Sequence, residues 1–384
     1  MKERYPLDLT GPGSHVLVRE PGQADVSVGP TGCDLVVGAL DEIDWNALGD
    51  PGVVTADWPD RVRYEGADAS IARWATGRDL YSLHVTAAGP LELDLSRARL
   101  RYLTLESRGH RLAVRLPSAS VLGDLHLVGT PVDLALERHP DGSLPGITLT
   151  PPRTSGRSRG LLPSDGSAGS RPIDPHPELL GAESLAVYGD PFDVPPDARS
   201  LTPYAGLREL EIRGAVAHLE ALTELPLRSL QFRFVPNLAG LPPLSVWPNL
   251  DEVIVWNCDA EATKRVRSEI RRMPAGEKYR SASQGRAAAW FVAEYGLPFS
   301  AWPRATASKA TRAFKAAAKT IAGAGDRDGA LAAIEEFVRA ANVLPGIETS
   351  EREDLGDAVL MLAGLRGDLD GATALRRFDA VRDF

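Results

Sequence analysis

A short apolar frame recurs along this chain at nearly constant intervals: two apolar residues with one residue between them, and a third placed three positions earlier. It reads Leu80, Leu83, Val85 in "LYSLHV", Leu100, Leu103, Leu105 in "LRYLTL", Leu122, Leu125, Leu127 in "LGDLHL" and Leu144, Ile147, Leu149 in "LPGITL". It returns as Ala182, Leu185, Val187, then Leu207, Leu210, Ile212, then Leu227, Leu230, Phe232, and finally Leu250, Val253, Val255 in "LDEVIVWNC". Two degenerate copies precede these, at Leu40, Ile43, Trp45 and at Val62, Tyr64. The central residues step by 19 to 25 positions, with a single step of 38 between Ile147 and Leu185.

Spacing of three and then two fits neither a helix nor a plain strand. In the closing pair, the two apolar side chains point to one face of a strand, and the residues between and after them point to the other. The earlier leucine packs in from the incoming turn. A single strand of this kind cannot bury its own apolar face, so the copies are expected to stack as a parallel ladder over one continuous core.

A period of roughly 20–29 residues built on L-x-x-L-x-L is the signature of leucine-rich repeats. Over residues 40–259 the chain resembles that family in an irregular, bacterial-type form. "LPPLSVWPNLDEVIVWNC" is the best match, with Cys258 where the family has Asn or Cys to satisfy backbone groups in the turn. The other repeats depart from this, with Ala88, Arg108, Ala215 and Val235 at that position and only Thr130 able to substitute. Regular strands with irregular turns are therefore expected. The competing reading, short strands in an ordinary sandwich, does not account for so regular a step.

The expected fold class is α/β: a parallel-strand, leucine-rich-repeat-like solenoid, β-rich in its N-terminal half, followed by an all-α domain of helical hairpins. Residues 1–39, with "HVLV", "DVSV" and "DLVV", read as strands capping the open end. Residues 40–150 form a β-rich array in which Leu91, Leu93, Leu95, then Leu112, Val114, Leu116, then Val132, Leu134, Leu136 alternate as a second strand per repeat. Residues 151–180, rich in Pro, Gly, Ser and Arg, read as a loop or disordered insertion that accounts for the long step. Residues 181–259 resume the repeats, with a short helix suggested by Val216, Leu219 and Leu222. From 260 to 384 the periodicity is helical, with Asp326 and Asp368 placed as N-caps.

Composition narrows the function classes. Two cysteines, Cys33 and Cys258, without C-x-x-C or a Cys/His cluster, argue against a disulfide framework or structural zinc. No apolar run approaches the length of a membrane span, so a soluble, cytoplasmic protein is expected. No phosphate loop, nucleophile elbow, H-E-x-x-H or dinucleotide fingerprint is present. Neither a cofactor nor a metal is expected. The net charge of -9 is uneven: residues 261 to 323 carry 13 Lys and Arg against 4 Asp and Glu. There Arg304, Lys309, Arg312, Lys315 and Lys319 lie near Trp290, Phe291 and Trp302, a composition that suits nucleic acid, against which the overall charge counts.

The frame also says which residues share a surface. The outward residue inside each closing pair gives one column: Asp44, Arg63, His84, Thr104, His126, Thr148, Ala186, Glu211, Gln231, Ile254. The next outward residue gives a second: Asn46, Glu65, Thr86, Glu106, Val128, Thr150, Tyr188, Arg213, Arg233, Trp256. His84 and His126 fall about 10 Å apart, too far to share a zinc ion, and flank Glu106 as a titratable patch. Arg213 and Arg233 fall side by side, which is costly unless an anion, Glu211 or a ligand, lies between them. With Tyr188 and Trp256 they make an arginine–aromatic patch of interface character. The leading expectation is a non-enzymatic adaptor that binds a protein or peptide partner on this face. The alternatives are an enzyme or accessory subunit with a site between solenoid and helices, and a nucleic-acid regulator acting through residues 261–323.

Overall fold

The computed structural model describes residues 3–19, 23–49, 59–129, 133–152, 169–274, 279–283, 285–288, 290–291, 297–366 and 369–384. The chain opens with an antiparallel hairpin of β1 (Glu3–Leu7) and β2 (His15–Arg19). There follow β3 (Asp25–Gly29), β4 (Leu35–Val36), β5 (Arg61–Gly66), β6 (Asp79–Ala87), β7 (Leu91–Asp94), β8 (Arg99–Glu106) and β9 (Leu112–Arg115). Then come β10 (Asp124–Val128), β11 (Leu134–Glu137), β12 (Gly146–Thr150), β13 (Ser184–Tyr188), β14 (Glu209–Arg213), β15 (Ser229–Arg233), β16 (Glu252–Trp256) and β17 (Arg280–Ala282).

Twelve of these strands form one sheet in the order β17-β16-β15-β14-β13-β12-β10-β8-β6-β5-β3-β4, and every neighbouring pair is parallel. The register follows the leucine frame without a slip: Val62, Leu83, Leu103, Leu125, Ile147, Leu185, Leu210, Leu230 and Val253 are successive partners. From Leu83 to Val253 all are 0–1% exposed, so the row forms the spine of the core. Parity explains the fidelity, because a one-residue slip would turn this whole row to solvent. The pairing of β12 with β13 shows that the sheet continues unbroken across the 38-residue step.

The second strands are also present. β7, β9 and β11 form a separate parallel sheet in which Leu91, Leu112, Leu134 and then Leu93, Val114, Leu136 are in register. Val132 lies outside the described residues, as do Thr130 and most of the insertion. In the later repeats the return segment is a 3-10 helix instead, at Ala198–Leu201, Leu219–Glu224 and Leu244–Val246, each burying one or two apolar residues.

One expectation needs correction. The copy at Leu40, Ile43, Trp45 is not a strand: Leu40 is exposed, and Asp44 caps a 3-10 turn at Trp45–Leu48 by accepting from the Asn46 N–H. Asp44 and Asn46 therefore leave the two columns, and β3 and β4 supply the outer rungs. Of the helices packed on this sheet, α1 (Ser70–Thr76) buries Ile71 and Trp74 in its core and α2 (Ala260–Ile270) buries Val266, with β17 a rung beyond it.

A second apolar core is built from α3 (Arg304–Gly323), α4 (Arg327–Asn342), α5 (Thr349–Ala363) and α6 (Gly371–Val381). Each helix turns a narrow apolar stripe inward: Ala310, Phe314, Ala317 and Ile321 on α3 meet Leu331, Ile334, Phe337 and Val338 on α4. Asp326 caps α4 through the Gly329 N–H, as its position implies. Asp368 lies outside the described residues, and the cap of α6 is Asp370, which accepts from Thr373. Phe192, in the loop after β13, is buried in this helical core, and Phe234, after β15, packs against it. Among the described residues no helix is long and apolar enough to cross a membrane.

Candidate functional site

The face of the twelve-stranded sheet opposite the leucine spine is lined by the polar residues that alternate with it. Tyr188, Arg213, Arg233 and Trp256 stand on β13, β14, β15 and β16, the last three as direct register partners and Tyr188 opposite Arg213. The neighbouring arginines are reconciled internally. Glu211 accepts from Arg213 Nε at 2.5 Å, and the same oxygen lies 3.1 Å from Arg233 Nε. Gln231 accepts from the Arg233 guanidinium at 3.2 Å, while the Arg213 guanidinium stacks over the Tyr188 ring at 4.4 Å. One carboxylate between two fixed cations leaves the group a single net positive charge. The site between the arginines is thus held by Glu211, and Trp256, 50% exposed at the end of the row, is the most accessible apolar element.

In the first half, His84 and His126 sit on β6 and β10 with Thr104 of β8 between them. Glu106 does not stand open between the histidines. It accepts from Arg108 Nε at 3.1 Å, and the same guanidinium reaches Glu65 at 2.6 Å. Thr86, in register between the two glutamates, is fully buried and donates to Glu106. Arg108 is therefore a brace across three rungs. His126 shares a 2.8 Å hydrogen bond with the Thr150 hydroxyl, and His84 a 3.4 Å contact with Thr86. Burial pulls both imidazoles below their ordinary range, with Arg63 adding to the effect on His84. Both shifts favour the neutral ring.

A third outward column escaped the sequence reading. It holds the residue two before each outward centre: Ser82, Tyr102, Asp124 and Gly146 in direct register, then Ser184, Glu209, Ser229 and Glu252. Strand parity alone would have found it, since residues i and i+2 share a face. Its notable member is Asp124, half-buried, whose carboxylate is contacted by the Thr148 hydroxyl at 3.3 Å. Burial raises this carboxyl above its ordinary range. At Gly146 beside it a Cβ would crowd Gly123 O at 3.2 Å and stand 3.4 Å from Asp124 Oδ2. Ala186 on the next strand keeps the surface low between His126 and Glu211.

Cys258 lies at the turn after β16. Its buried thiol donates to Trp256 O, and burial pushes it up to about 12. A cavity of about 580 Å³ lies at the β17 end among Trp247, Leu250, Met273 and Arg280. No histidine lines it, and Arg280 is spent on the carbonyls of Leu250 and Asp251. On α3, Lys309, Arg312 and Lys319 are exposed along one face. The aromatics near them are not a stacking platform, because Phe291 and Trp302 are buried in the helical core. Trp290 is half-buried beneath Arg286. Among the described residues, no group of three or more His, Cys, Asp or Glu side chains could hold a metal ion. Comparison of the chain with protein-family models, with characterised proteins and with solved structures returns no match.

Proposed function

We propose that the chain is a leucine-rich-repeat-like solenoid acting as a non-enzymatic adaptor, and that it binds an extended protein or peptide segment across the outer face of its parallel ladder. The observation that supports this most directly is the row Tyr188, Arg213, Arg233, Trp256 on four successive strands, with a half-exposed tryptophan at its end. A rigid sheet carries these side chains at fixed intervals, so little conformational entropy is lost when a partner settles on them. Tyrosine, tryptophan and arginine are also the residue types in which interface energy concentrates. The absence of any recognised nucleophile or cofactor motif in the sequence is consistent with a binding role.

Trp256 is the cleanest residue to test, because removing Arg213 or Arg233 would leave Glu211 with an altered partner set. The ladder face from β10 to β16 spans five steps of about 4.8 Å, a distance that roughly seven extended residues cover. Panning a random heptapeptide library against the protein is expected to yield binders that Trp256→Ala weakens by about tenfold or more, an effect of about 1.4 kcal/mol. The melting temperature of that variant is expected to stay within a degree or two. A library whose binders are all indifferent to Trp256→Ala would remove the proposal.

A further inference from the structure

We propose that Asp124 is a subsite for a basic side chain, lysine or arginine, of the segment bound on the ladder face; this rests on reading that face as the docking surface. Asp124 is in register with Gly146 on β12, which presents no side chain on that face, and Ala186 on β13 pairs with Thr148. The glycine leaves the carboxylate open on that side, where a Cβ would stand in contact with Oδ2 at 3.4 Å. Among the described residues the carboxylate's surroundings supply no counter-charge. Thr148 is its hydrogen-bond partner among the described residues. Across β8 stands the Tyr102 phenol, with the Arg101 guanidinium over that ring rather than at Asp124. His126, two residues along the same strand, is shifted towards its neutral form, and Tyr188 on β13 adds a further phenol.

Three other carboxylates of the outer face contrast with this. Glu211 is matched by Arg213 and Arg233, and Glu106 and Glu65 by Arg108. Among the described residues Asp124 has no such brace. A half-buried carboxylate with one hydroxyl donor is costly to keep ionised, and an incoming ammonium or guanidinium offsets that cost through a charge-assisted hydrogen bond. The fold thus holds an unfavourable charge at a place a partner can reach, which is the pattern of a recognition residue.

Two opposite effects follow in one variant. Asp124→Asn keeps the shape and the Thr148 contact but removes the charge, so the free protein is expected to melt higher at pH 7. Binding of Trp256-dependent heptapeptides carrying Lys or Arg is expected to weaken by about tenfold or more. In the wild-type protein, replacing that lysine by norleucine in the same peptide is expected to cause the same loss, a measurement that does not depend on how the variant folds. Peptides that need Trp256 but bind Asp124→Asn unchanged, or tolerate norleucine, would overturn the subsite and leave the docking face standing. An Asp124→Asn protein that melts lower and weakens peptides with and without a basic residue alike would mark Asp124 as structural and overturn the inference. If no heptapeptide depends on Trp256, the docking face falls and the subsite with it.

Discussion

The turns after the strands place one backbone position in the left-handed region at the same register. Gly129, Gly214, Phe234 and Asn257 each follow the last outward residue of their strand, with φ of 93, 77, 56 and 51°. Gly214 has a second reason to be glycine, since a Cβ there would lie 2.0 Å from Gly189 O. Phe234 accepts a conformation costing a non-glycine residue about 1–2 kcal/mol, with its ring packed against the helical core in return. The histidines make the residue-scale prediction. Their folded pKa values lie below the unfolded one, so the native state resists protonation more than the unfolded state does. Their contribution to stability is fully present above the unfolded value of about 6.5 and is lost as pH falls through the folded values. Urea midpoints taken at pH 7.5 and 5.5 are expected to differ less in the His84→Gln, His126→Gln double variant than in the wild type. An unchanged difference would mean that other groups set the acid sensitivity. The spine and the surface columns were legible in the sequence because strand parity assigns every second residue to one face. The Glu211 pairing was legible only as an alternative, since the frame fixes which strands adjoin but not which way a long side chain leans. The turn column was harder to read, because phenylalanine carries no signal for a positive φ.

At the scale of elements, repeat frame and strand are not the same thing. Leu40, Ile43 and Trp45 keep the spacing but fold as a turn, while "DVSV" and "DLVV", read as a cap, supply the rungs β3 and β4. The three-residue β17 carries no leucine frame at all, and its place in the sheet follows from α2 returning the chain to the edge of β16. Helix starts were plainer, because an aspartate before an apolar stripe satisfies backbone donors that nothing else reaches. Asp326 does so for α4, accepting from the Gly329 N–H at 2.8 Å. Asp326→Ala is expected to cost about 1 kcal/mol in chemical denaturation, and Asp326→Asn much less. Equal losses for both would show that the negative charge at the helix start, rather than the cap bond, is what matters.

At the scale of the whole molecule, two apolar cores meet through few residues, of which Phe192 is the clearest: it leaves the sheet after β13 and is 6% exposed within the helical core. Phe192→Ala is expected to destabilise that contact by about 3 kcal/mol. Hydrogen exchange should then quicken in α3 to α6 while the amides of β8 to β15 keep their protection. Uniform quickening would instead mean that the two cores unfold as one unit. The parallel order of the sheet has a mechanical consequence. Its hydrogen bonds run along the axis of the ladder, so tension applied between the first rung and the last loads them end-on, one rung at a time, rather than in shear. Each rung that yields releases roughly 20 residues, on the order of 70 Å of slack. A molecule built this way gives under strain in small instalments and re-forms from whichever rungs remain.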